Sequence, residues 1–213
     1  MTDSTSEAAD RRRPDGPPPG ALGLVVLAFT VASVVAYGLG SAFWNGFFVF
    51  AGSIPLGIYG ATVYARQLRL GIRVPGPGIS FFGGITASIL LALAGLLGWA
   101  ATQVTALPSA LSDLVTELVF LLGGVGFAGG LGLLIAGIAV PAVILRLLPR
   151  WLGWAGLVLG GLGELAFLSM LWEGLDVLLP FVRFGGLIWL TAAGFLLPRD
   201  RREAPRRTLA SGR

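Results

Sequence analysis

Six stretches of the sequence are so long and so apolar that only a lipid bilayer can be their solvent. They occupy residues 21–39, 47–65, 79–101, 118–145, 152–171 and 178–197. At about 1.5 Å of helical rise per residue, some 20 residues cross a hydrocarbon core of roughly 30 Å. No water is available there to satisfy backbone N–H and C=O groups, so each stretch must close its own hydrogen bonds as a helix. The expected fold is an all-α membrane protein, an up-and-down bundle of six transmembrane helices over residues 21–198. Residues 1–20 and 199–213 are polar or basic tails with too little apolar area to fold, and are expected to be disordered on the cytoplasmic side.

The fourth stretch is longer than the membrane needs: 28 residues make roughly 42 Å of straight helix. Tilt, a kink at Pro141 or an outer turn lying at the interface would absorb the excess. Pro55 is expected to kink the second stretch.

Charge is partitioned by turn. Arg66, Arg69, Arg73, Arg146 and Arg150 follow the second and fourth spans with no acid among them, whereas Asp113, Glu117, Glu173 and Asp176 occupy the alternate turns with no base. Retention of arginine in the cytoplasm then predicts a multi-pass protein of the plasma membrane with both termini inside. The tail arginines Arg199, Arg201, Arg202, Arg206 and Arg207 favour contact with anionic lipid, each by about 1 kcal/mol.

Only Glu164 and Arg183 place charge within the apolar stretches. A charge at that depth costs on the order of 3 kcal/mol and calls for a partner. Glu164 and Arg183 lie at similar depth across the last hairpin, which predicts an intramembrane charge pair that fixes helix register. A protonatable Glu164 in a cavity, or Glu164 facing a partner subunit, are the alternatives. Asp113 and Glu117, one helical turn apart, can join Glu173 and Asp176 in an oxygen-rich outer cluster for Ca²⁺ or Mg²⁺. The plainer reading is a solvated acidic rim.

Glycines mark helix contacts. The spacings Gly126/Gly130 and Gly156/Gly160 let backbones approach, and predict that the fourth and fifth spans pack tightly together or support a homodimer. Gly124, Gly126 and Gly129 match GxGxxG formally, but within an apolar span and with no preceding strand they do not predict a nucleotide site. Thr30, Ser33, Tyr37, Tyr59, Thr62, Thr86 and Ser88 can line a polar path, although such residues more often bond to their own helix carbonyls.

The chain has neither cysteine nor histidine. Thiol nucleophiles, disulfides, Cys-held iron–sulfur clusters and His-held haem are excluded, and no cofactor or metal is called for. No paired-carboxylate or activated-serine arrangement appears, and no folded basic surface suits nucleic acid.

The segment LLPRWLGWAGLVLGGLG at residues 147–163 follows a glycine-rich fourth span and precedes a last span that ends in Pro198–Arg199. In these features the last hundred residues resemble small six-helix integral membrane proteins, bacterial and common in actinobacteria, known only as a domain of unknown function. The resemblance implies fold and topology and carries no activity. The expected function is therefore that of a non-enzymatic structural or regulatory membrane component acting through helix–helix contacts with a membrane protein partner. A small permease or proton-coupled carrier using Glu164 is the alternative, and a membrane enzyme ranks third.

Overall fold

The computed structural model describes residues 17–106 and 108–198, with the backbone alone at Glu173. Every regular element among them is helical. Six helices have the length and composition to cross a membrane: Pro19–Gly38, Ala42–Arg69, Gly76–Ala101, Ser109–Ile144, Arg150–Met170 and Leu178–Leu196. The two tails expected to be disordered fall almost wholly outside the described residues.

Consecutive spans are antiparallel neighbours, and the sixth returns to pack against the first. The ring is closed by glycine on both sides of that last seam. A Cβ on Gly23 would come within 2.8 Å of Thr191 Oγ1, and one on Gly194 within 2.8 Å of Gly20 Cα. Side chains that face inward from the second, fourth and sixth spans fill the middle, among them Leu56, Tyr59, Leu131, Leu134, Ile135, Leu187 and Leu190. Three hairpins thus fuse into one bundle with a shared core.

The turns after the second and fourth spans, with Arg69, Arg73, Arg146 and Arg150, lie at one end. Asp113, Glu117 and Asp176 lie at the other. Trp44, Trp99 and Trp172 flank the acidic end, and Trp151 and Trp154 the arginine end, as amphipathic indoles do at membrane boundaries.

The fourth span uses its surplus length as an outer extension. It begins at Ser109, and Ser109–Phe120 contains no buried residue, so three turns stand clear of the core. The helix then widens into a π segment at Leu121–Gly126 before it resumes at Phe127. It runs through Pro141, and the second helix runs through Pro55, without interruption. The sixth span also carries a π segment, Phe181–Gly185, and the fifth ends in a 3₁₀ segment, Ala166–Met170. All three departures from α geometry sit in the acidic-end half of the last three spans.

Candidate functional site

A buried polar cluster at the arginine end joins four spans. Tyr59 and Arg66 are seven residues apart on one face of the second span, two helical turns along. Tyr59 Oη donates to Leu190 O at 2.7 Å, and Arg66 Nη1 donates to Gly194 O and Leu197 O, both at 3.3 Å. Gly194 O belongs to the last turn of the sixth span, where carbonyls have no intrahelical donor. Arg66 therefore caps that helix, and its positive charge opposes the negative end of the helix dipole. Its neighbour Gln67 donates through Nε2 to Gly137 O at 3.0 Å and accepts from Ser80 Oγ at 2.8 Å. Trp189 Nε1 donates to Leu152 O at 2.7 Å and ties the sixth span to the fifth. From the sequence alone Arg66 reads as a topology residue, and Gln67 does not stand out. The signal was present in the i, i+7 spacing of Tyr59 and Arg66 and in an amide one residue further on.

The residues considered for a polar path divide. Thr30, Ser33 and Thr62 donate to carbonyls of their own helices at Val26, Thr30 and Ile58. Tyr59 crosses to the sixth span, and Ser88 Oγ donates to Ser53 O at 2.8 Å across to the second. Tyr37 is exposed and Thr86 half-buried.

The structure does not bring Glu164 and Arg183 together. The sixth span meets the fifth near Leu159, whose Cδ2 is 3.2 Å from where a Gly185 Cβ would stand. Glu164 is five residues from Leu159, roughly 140° further around the helix, so the two charges do not face each other across the hairpin. Arg183 instead turns toward the fourth span. Its guanidinium stands 5.0 Å above the ring centroid of the buried Phe127, and its Nε is buried with no hydrogen-bond partner. A cation over an aromatic face gains about 0.5–2 kcal/mol, which offsets part of the cost of its depth. The π segment that carries it re-aims the side chain away from the position a regular helix would give.

Glu164 is exposed on the outer flank of the fifth span, with no ion-pair partner among the described residues. Gly163 on one side of it packs on Gly132 and Ala128, and Gly160 on Ala136. By contrast, Cβ positions at Gly161 and at Gly129 of the fourth span have nothing within 4 Å. The carboxylate therefore stands one helical turn from an open glycine position, Gly161, on the outer wall of the bundle.

The fourth and fifth spans do pack closely, through Gly132, Ala136, Gly160 and Gly163. Gly126 and Gly130 serve a different seam. Gly130 lies against the third span, where a Cβ would come within 2.6 Å of Ala87 N, and Gly126 faces Leu90 of that span. Gly156 receives the indole of Trp189. At the acidic end, Asp113 and Glu117 are exposed and Asp176 is half-buried. Among the described residues no group of three acidic side chains is gathered in a way that can hold a metal ion.

Six apolar helices in one closed ring, with tryptophan at both boundaries and the terminal charge separated by end, define a polytopic membrane protein. No protein-family model, curated protein or solved structure matches the chain.

Proposed function

We propose that this protein is a non-enzymatic structural or regulatory component of the plasma membrane that docks a helix of another membrane protein against its fifth span. The observation that carries this reading is the outward Glu164 beside the open Gly161. A bare carboxylate toward lipid costs on the order of 3 kcal/mol, whereas a partner helix with an arginine, lysine or hydroxyl at that depth turns the cost into a directed contact. Small residues beside a polar anchor are the usual composition of such contacts, because they let backbones approach. The arginine-bearing turns and both termini belong to the cytoplasm on this reading.

Affinity purification from native membranes after in-membrane cross-linking tests it. The wild type is expected to carry a membrane partner that Glu164→Gln and Gly161→Leu both lose. Glu164 is exposed and a Cβ at Gly161 meets open space, so the variants should fold normally. Retention of the same partner by both variants would overturn the proposal, and a cross-link between two copies of this chain would identify the partner as itself. A small carrier is the second reading. Its support is the π segment that carries Arg183 and the π segment that ends just before Phe127, on whose ring Arg183 lies, since irregular backbone within a membrane gathers at binding sites. Glu164, on the outer wall, is not placed to serve as its proton site.

A further inference from the structure

Three helices end in the same hydrogen-bonded motif, and one of them breaks its chemical rule. After the first helix, Gly40 N bonds to Tyr37 O and Ser41 N to Ala36 O. After the second, Gly71 N bonds to Leu68 O and Ile72 N to Gln67 O. After the fourth, Arg146 N bonds to Val143 O and Leu147 N to Ala142 O. This paired closure requires a left-handed residue, normally glycine. Gly40 and Gly71 supply it with φ of 75° and 72°, but at the third place stands Arg146 with φ of 53°. A chain with 33 glycines places arginine where glycine costs nothing.

The guanidinium has a reason to be there. Between the end of the fourth span and the start of the fifth lies a cavity of about 150 Å³, lined by Val143, Arg146, Leu148, Arg150, Gly153 and Trp154. Its volume is that of several waters, at roughly 30 Å³ each. Both arginines are exposed, and among the described residues neither guanidinium has a hydrogen-bond or ion-pair partner. The first backbone N–H groups of the fifth helix open at the same place and receive no side-chain cap. Trp154 lines the cavity while 62% exposed, and Trp151 beside it is 68% exposed, which places the opening at the membrane boundary.

We propose that the Arg146–Arg150 cavity holds a phosphate group, that of an anionic lipid headgroup in the adjoining leaflet. Two guanidinium forks match phosphate oxygens bidentately. The two tryptophans and the boundary depth favour a lipid over a soluble phosphate. The site lies at the opposite end of the fifth span from Glu164 and does not depend on the docking role proposed there.

The test uses the full chain in phosphatidylcholine nanodiscs, with phosphatidylglycerol or with inorganic phosphate as probe. Arg146→Gly and Arg150→Gln are expected to retain about tenfold less phosphatidylglycerol by native mass spectrometry, the loss of one charge-assisted fork. Arg73→Gln, with the same change of charge on another exposed turn, should lose clearly less lipid than either, only the general attraction of one surface arginine. Arg146→Gly should melt no lower than the wild type, because glycine suits that φ. Thermal stabilisation by inorganic phosphate alone, lost in both variants, would assign the phosphate to a soluble source instead. The site is overturned if neither probe binds, if Arg146→Gly and Arg150→Gln bind like the wild type, or if Arg73→Gln loses as much lipid as they do.

Discussion

Arg66 shows how one side chain can serve both topology and fold. Its charge belongs to the arginine-rich end, yet its guanidinium is buried and donates to the last carbonyls of the sixth span. Hydrogen bonds from a charged donor are worth about 1.5–3 kcal/mol each, and breaking them here leaves buried acceptors without a donor. Arg66→Ala is therefore expected to destabilise the bundle by about 3 kcal/mol, allowing for the desolvation that the guanidinium no longer has to bear. Arg73→Ala, on an exposed turn, should change stability by less than about 0.5 kcal/mol. Reversible unfolding in mixed micelles compares the two, and equal losses would remove Arg66 from the capping role. At this scale the sequence shows which charges fall within the spans, and not which way each of them faces. Glu164 and Arg183 both lie within apolar spans, as counting residues indicates. Which flank each occupies follows from the Leu159–Gly185 contact and from the π segment beneath Arg183, and neither leaves a mark in a run of apolar letters.

The same limit governs the elements. Hydropathy marks the six spans because lipid selects for total apolarity, but a helix that is apolar all round has no polar face to reveal which side is inward. Gly126, Gly130, Gly156 and Gly160 lie where neighbours come close, and those neighbours are the third span and the Trp189 indole as much as each other's helix. What decides a glycine's role is whether backbone lies opposite. A Cβ on Gly137 would come within 2.7 Å of both Gly76 O and Ser80 Cα, whereas one on Gly129 meets nothing within 4 Å. Gly137→Val must push the third and fourth spans apart, at about 3 kcal/mol, the upper end of ordinary overpacking costs, and it also disturbs the carbonyl that receives Gln67. Gly129→Val is expected to melt with the wild type. Size-exclusion melting profiles of the two variants separate the cases, and a Gly137→Val protein as stable as Gly129→Val would show that the seam is looser than drawn.

For the whole molecule, closure of the ring constrains orientation. The sixth span is locked against the first at Gly20, Gly23, Thr191 and Gly194, so no single hairpin can invert without opening that seam. Orientation is then a collective property, decided by the summed bias of Arg66, Arg69, Arg73, Arg146 and Arg150 against Asp113, Glu117, Glu173 and Asp176. The absence of native cysteine makes this directly measurable, since an introduced thiol is the one maleimide target in this sequence and is read on the purified chain. Asp113→Cys, at an exposed position on the outer extension of the fourth span, is expected to react with an impermeant maleimide on intact cells. Arg73→Cys, exposed on the turn after the second span, should react only after the membrane is permeabilised. Each substitution removes one charge from a partition of several, too little to turn the bundle over. Reaction of both thiols on intact cells would place the acidic and basic ends on one side, which no ring of six antiparallel spans can do. Reaction of Arg73→Cys alone would keep the bundle but invert it, and the Arg146–Arg150 cavity would then open on the outer leaflet.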